Sequence, residues 1–150
     1  MILNGEGLTQ VDVRVKPGVY ATYSAKEFIQ YGVEGIEAKL DSSRDVSFDT
    51  YIYENDRLRV YGRKFFRQLT AKEKIASVII EETAHAVARS EGYKEKHGGY
   101  FYSVFIRIWK KYYDRVKDML TSVSKYEVLS LIDILARSER LKWKIKEAMW

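Results

Sequence analysis

The residues with chemistry to offer gather in two short segments. The first is Glu81-Glu82-Thr83-Ala84-His85, and the second is His97-Gly98-Gly99-Tyr100-Phe101. The chain has 2 histidines, and both fall here. On a helix, Glu81 and His85 stand at i and i+4, on one face and one turn apart, so a carboxylate and an imidazole can share one ion. Glu82 is rotated by about 100° from Glu81 and passes the other flank of His85. A carboxylate there can reach a metal-bound water without ligating the metal. His97 follows the helix end, after a turn able to return it as a third ligand. Three protein ligands and a water make an open, catalytic type of zinc site. Zinc would lower the pKa of that water to ~7, Glu82 would serve as general base, and a peptide carbonyl would be the target. A plainer reading stands beside this one: Glu81 and His85 as a hydrogen-bonded pair, and His97 as an ordinary loop residue.

The two segments resemble the H-E-x-x-H helix of zincin metallopeptidases. More narrowly, they resemble the SprT-like and WLM-like minimal families, whose third ligand is a histidine in an H-G-x-x-F or H-S-x-x-F motif soon after the helix. His97-Gly98-Gly99-Tyr100-Phe101 has the first form. The resemblance spans residues 46–120 in the order of elements and about ten positions in motif. It implies a zincin-like fold, a zinc cofactor and a protein or peptide substrate, with work on proteins bound to nucleic acid by analogy. This chain departs from the pattern at Glu81, where the families have histidine. Two histidines and one glutamate are an established zinc ligand set. The alternative is a catalytically degenerate scaffold acting as a nucleic-acid- or protein-binding module, and a third reading is a metal-assisted hydrolase of another substrate.

The elements that must position these residues can be read from periodicity. Val11, Val13 and Val15 alternate with polar residues as in a half-buried strand, and Val19 to Tyr23 suggests another. Ser24 with Glu27 predicts a capping box for a short helix ending near Gly32. Ile36, Ala38 and Leu40 alternate again. Residues 46–64 predict an antiparallel hairpin about Asn55-Asp56, with Tyr51 and Tyr53 on one face, suited to strand packing or base stacking. Thr70 and Glu73 predict a capping box, and Gly92 a stop, for a helix over about residues 71–90. A second helix has Phe101, Val104, Phe105, Ile108, Tyr112, Val116 and Met119 inward. Ser124 and Glu127 box a third that runs to the end, carrying Leu131, Ile132, Leu135, Ile145, Trp143, Met149 and Trp150. Strands first and helices after predict an α+β fold: a small antiparallel sheet, then three helices, in a single domain over 1–150, strand-rich in 1–68 and helical in 70–150. Tyr93, Tyr100 and Tyr102 fall near the candidate site, where a hydroxyl could donate to an oxyanion.

The rest of the chain bounds the setting. At 150 residues it suits one domain. It has no cysteine, which removes disulfides and thiolate ligands and suits the cytoplasm. Neither a signal peptide nor an apolar run of membrane length is evident. A single proline and abundant Lys, Glu, Ile and Tyr resemble thermophile usage. The net charge of +5 arises partly from basic stretches at 57–59, 63–67, 110–111 and 137–146. That charge permits weak, non-specific attraction to nucleic acid, although a solvated surface explains it as well.

Overall fold

The fold is taken from a computed structural model, which describes residues 1–8, 11–18, 21–24, 28–34, 36, 50–61, 69–93, 97–121 and 127–136. Helix and strand are mixed, with two small sheets packed on helices. The elements, in chain order, are α1 (Ile2–Gly5), β1 (Asp12–Lys16), β2 (Thr22–Ser24), β3 (Phe28–Gly32), β4 (Thr50–Glu54), β5 (Arg57–Tyr61), α2 (Ala71–Ser90), α3 (Gly99–Thr121) and α4 (Val128–Ala136).

The first sheet has the order β1-β3-β2. β1 runs parallel to β3, with Val13 opposite Ile29, and β2 runs antiparallel to β3, with Thr22 opposite Gln30. Two expectations are corrected here. The sheet is not wholly antiparallel, and the helix expected from Ser24 to Gly32 is in its latter part the strand β3. Ile29 and Tyr31 are buried while Gln30 is not, the two-residue period of a strand. A strand on each side satisfies the backbone of β3, which a local capping signal cannot outweigh. Ile36, expected in a strand, is buried in a helical turn with Val33 and Glu34, and residues 37–40 lie outside the described residues.

The second sheet is the hairpin β4–β5, with Thr50 opposite Tyr61 and Glu54 opposite Arg57. Asn55 and Asp56 both take positive φ, at 51° and 59°. That pair of left-handed residues closes a two-residue turn whose twist matches the strands it joins. The flanking residues 46–49 and 62–64 lie outside the described residues.

α2 is the organising element. Thr70 accepts from the Glu73 amide at 3.2 Å, and the Thr70 amide donates to the Glu73 carboxylate at 3.0 Å, completing the capping box. At the other end Gly92 has φ 95°. Its amide donates to Arg89 at 2.9 Å and that of Tyr93 to Ala88 at 3.1 Å, the paired bonds of a Schellman stop. Between these caps the helix is buried round most of its circumference, through Ile75, Val78, Ile79, Ile80 and Val87 together with four alanines at 76, 84, 86 and 88. The small residues let neighbouring elements approach. α3 packs along α2 through Phe101, Val104, Phe105 and Ile108, β4 lies against α2, and α4 closes the core between α2 and β1.

α4 shows Val128, Ile132 and Leu135 buried, as a core-facing helix should. The Met1 ammonium donates to the Ile134 carbonyl at 2.9 Å, tying α1 to α4. Ser124 and the residues from 137 on, with Trp143, Ile145, Met149 and Trp150, lie outside the described residues, as do the basic stretches at 63–67 and 137–146. Among the described residues no helix is long and apolar enough to cross a membrane.

Candidate metal centre

Glu81 and His85 share one face of α2, as their spacing requires. His97 stands two residues before α3, and the packing of α3 along α2 brings it back to that face. The result is a group of three donors, Glu81, His85 and His97, whose ligand atoms all lie within 4.8 Å of one another. The Glu81 Oε1 is 3.2 Å from His97 Nε2 and 3.9 Å from His85 Nε2. For ligand bonds of about 2.0–2.1 Å, neighbouring atoms of a tetrahedral shell are separated by about 3.4 Å. The two measured separations bracket that value, and no pair of the three ligand atoms lies farther apart than 4.8 Å. The chemistry of the set also fits, since two imidazoles and a carboxylate match a borderline cation such as zinc.

The same atoms have a role in the metal-free chain. His97 Nε2 lies within hydrogen-bonding distance of Glu81, and a metal must displace any proton carried there. The atoms that could hold a metal are thus the same ones that form the hydrogen-bonded pair.

The surrounding rings orient the histidines. Phe101, on the first turn of α3, stacks on His85 with centroids 4.1 Å apart and planes at 14°. It also meets His97 at 5.1 Å. The aromatic that ends the second motif thus bears on both imidazoles. Tyr51 reaches His97 from β4 at 5.5 Å. β4 is itself pinned to α2, because the buried Ser77 hydroxyl donates to the Tyr51 carbonyl. Sequence periodicity assigned Tyr51 to a strand face but carried no sign of the Ser77 bond or the His97 contact.

Exposure separates the members of the site. The side chains of Glu81 and His85 are each 14% exposed, and that of His97 is 42% exposed. Glu82 is 5% exposed and is not one of the three grouped donors. Its place one residue round the helix from Glu81 turns it toward the interior.

The nearby tyrosines divide. Tyr100 donates its hydroxyl to Glu91 and stacks on Tyr93, with centroids 3.4 Å apart. Tyr102 packs against Tyr51 at 6.0 Å and Phe101 at 5.6 Å. Tyr100 is therefore engaged away from the three donors. Arg107, which the sequence reading did not single out, bonds Glu91 at 2.7 Å. Its signal was available only as a charge seven residues beyond Tyr100 on one helix.

Comparison of the chain with family models, with curated proteins and with solved structures finds no match.

Proposed function

We propose that this chain is a zinc-dependent peptidase on a zincin-like α+β domain, acting in the cytoplasm on protein or peptide substrates. Glu81, His85 and His97 would hold the metal. The observation that carries the reading is the convergence of those three donors from two separate segments. When bound, zinc would supply Lewis acidity and a nucleophile at neutral pH.

The chain's own residues supply the remainder. Glu81 brings a negative charge that offsets part of the cation's. Phe101 holds the plane of His85, and Tyr51 with Phe101 borders His97. Glu82 is assigned the general base, a role that requires its buried carboxylate to turn from the interior toward the three donors. Among the described residues the hairpin β4–β5 beside α2 has no third strand, and its edges are where an extended substrate would add by backbone pairing. The Tyr51 carbonyl is already used by Ser77, so that pairing relies on other groups of the hairpin. The exposed Arg57 and Arg59 and the net charge of +5 suit a weak, salt-sensitive contact with nucleic acid.

The test is metal analysis of protein purified without a histidine tag, followed by cleavage of an unfolded protein substrate. Wild type should carry about one zinc per chain, and His85→Ala should carry none. Glu82→Gln should keep the metal and lose rate by about 10²–10⁴-fold. A wild type that takes up no zinc would sink the reading. Zinc uptake without cleavage would favour a second one, a catalytically degenerate scaffold that binds protein or nucleic acid. The burial of Glu82 and its separation from the three donors favour that second reading.

A further inference from the structure

His97 is the least constrained of the three donors. Glu81 and His85 are fixed to one another by the helix that carries both. His97 belongs to the connection between α2 and α3, and its side chain is 42% exposed. Ordering such a donor opposes binding entropically, unless the connection is already held at its ends.

Both ends are held, and by the same small cluster. At the end of α2, the Schellman stop sets the direction of Glu91, Gly92 and Tyr93. The Glu91 carboxylate then accepts from the Tyr100 hydroxyl and from Arg107 Nη2, the latter at 2.7 Å. Tyr100 and Arg107 lie seven residues apart, two turns along one face of α3. The Tyr93 ring stacks on that of Tyr100 at 3.4 Å, with planes at 13°. His97 thus lies between two anchored points, Tyr93 and Tyr100. The hydrogen bonds from Tyr100 and Arg107 hold the Glu91 carboxyl below the usual carboxylate range, so the cluster keeps its charge at neutral pH.

We infer that Glu91, with Arg107 and Tyr100, is a positioning clamp that holds His97 against Glu81. As a device for metal binding it rests on the zinc reading above, but the clamp acts on His97 in the metal-free chain as well. It contributes little to the union of α2 and α3. Those helices are joined by Ile79, Ile80, Phe105 and Ile108, all buried, whereas the clamp lies at the surface, where ion pairs stabilise weakly.

The experiment uses Glu91→Gln, Arg107→Met and the charge swap Glu91→Arg with Arg107→Glu in the full chain. With 2 histidines, imidazole NMR signals are assigned by comparison with His85→Ala. In metal-free protein, both single variants should move the His97 signals toward those of a free histidine and shift those of His85, whose ring lies 4.9 Å away but is held by its stack on Phe101, by less. Zinc affinity, measured by competition with a chromophoric chelator, should fall about tenfold. The melting temperature should be unchanged, and the charge swap, which re-forms the ion pair but leaves the Tyr100 hydroxyl without its carboxylate acceptor, should restore the His97 signals and the affinity in part. Unchanged His97 signals in the single variants would overturn the clamp. So would a fall in melting temperature that the His97 signals merely follow. A wild type that takes up no zinc while Glu91→Gln still displaces His97 would overturn the metal reading and leave the clamp standing.

Discussion

The contrast between His97 and His85 gives the sharpest test of the three-donor arrangement. A ligand that binds only the folded state at about one hundred times its dissociation constant stabilises by about 2.7 kcal/mol. In a domain of this size about 1 kcal/mol corresponds to about 2–4 °C, so saturating zinc should raise the melting temperature of wild type by about 5–11 °C. Replacing either histidine should abolish most of that rise, but the metal-free proteins should differ. His97→Ala removes a side chain that is 42% exposed, its contact to Glu81 at 3.2 Å and its looser, tilted ring contacts to Tyr51 and Phe101. That loss costs about 0.5–1 kcal/mol. His85→Ala removes a ring stacked on the buried Phe101 at 4.1 Å and exposes that face, at about 1–3 kcal/mol. The assay is thermal unfolding of the three proteins with and without zinc, after chelator treatment. A zinc-induced rise that survives in His97→Ala undiminished would refute the proposed ligand set. Equal losses in the two metal-free variants would refute the packing argument that separates them.

Glu81→His should tighten zinc binding, because three neutral imidazoles form an attested zinc shell; weaker binding in a calorimetric titration would mean that Glu81 serves its neighbours instead. Thr70→Ala should lower stability by about 1 kcal/mol in denaturant unfolding, since it removes one half of the capping box and leaves the Glu73 amide at the helix start without its acceptor. For Glu6, burial raises the carboxyl pKa, but hydrogen bonds from Lys111 and Tyr112 and the charges of Lys111 and Arg107 outweigh it, leaving the value lowered. The folded value therefore lies below the unfolded one. Its stabilisation is present above about pH 4.3 and is lost as pH falls through the folded value. Glu6→Gln should flatten the acid limb of stability against pH, and an unchanged limb would contradict this.

Much of the helical half was legible in the chain itself. Thr70 with Glu73 and Gly92 state the ends of α2 locally, because caps satisfy backbone groups within a few residues of where they stand. Asn55 and Asp56 announce the hairpin turn in the same way, by tolerating positive φ. The spacing of Glu81 and His85 needs only the helical period to bring them together. His97 returning to them follows from two helices packing after a short connection, and the motif resemblance pointed to it.

Tertiary structure alone decided the rest. Phe28 to Gly32 carries a capping signal just upstream and is too short for its period to outvote that signal. It is a strand because β1 and β2 offer backbone partners on both sides, and β1 lies sixteen residues earlier in register. The parallel β1–β3 pairing has no local signature, since strand direction depends on how the chain crosses over. The Ser77 bond to Tyr51, the Tyr51 ring beside His97 and the Arg107 grip on Glu91 each join residues 16 or more positions apart. A single sequence lists such residues without pairing them, because the pairing is set by which surfaces pack. Glu82 shows the same division. Its angle round the helix was readable, but whether that angle faces solvent or the interior depended on what packs against α2.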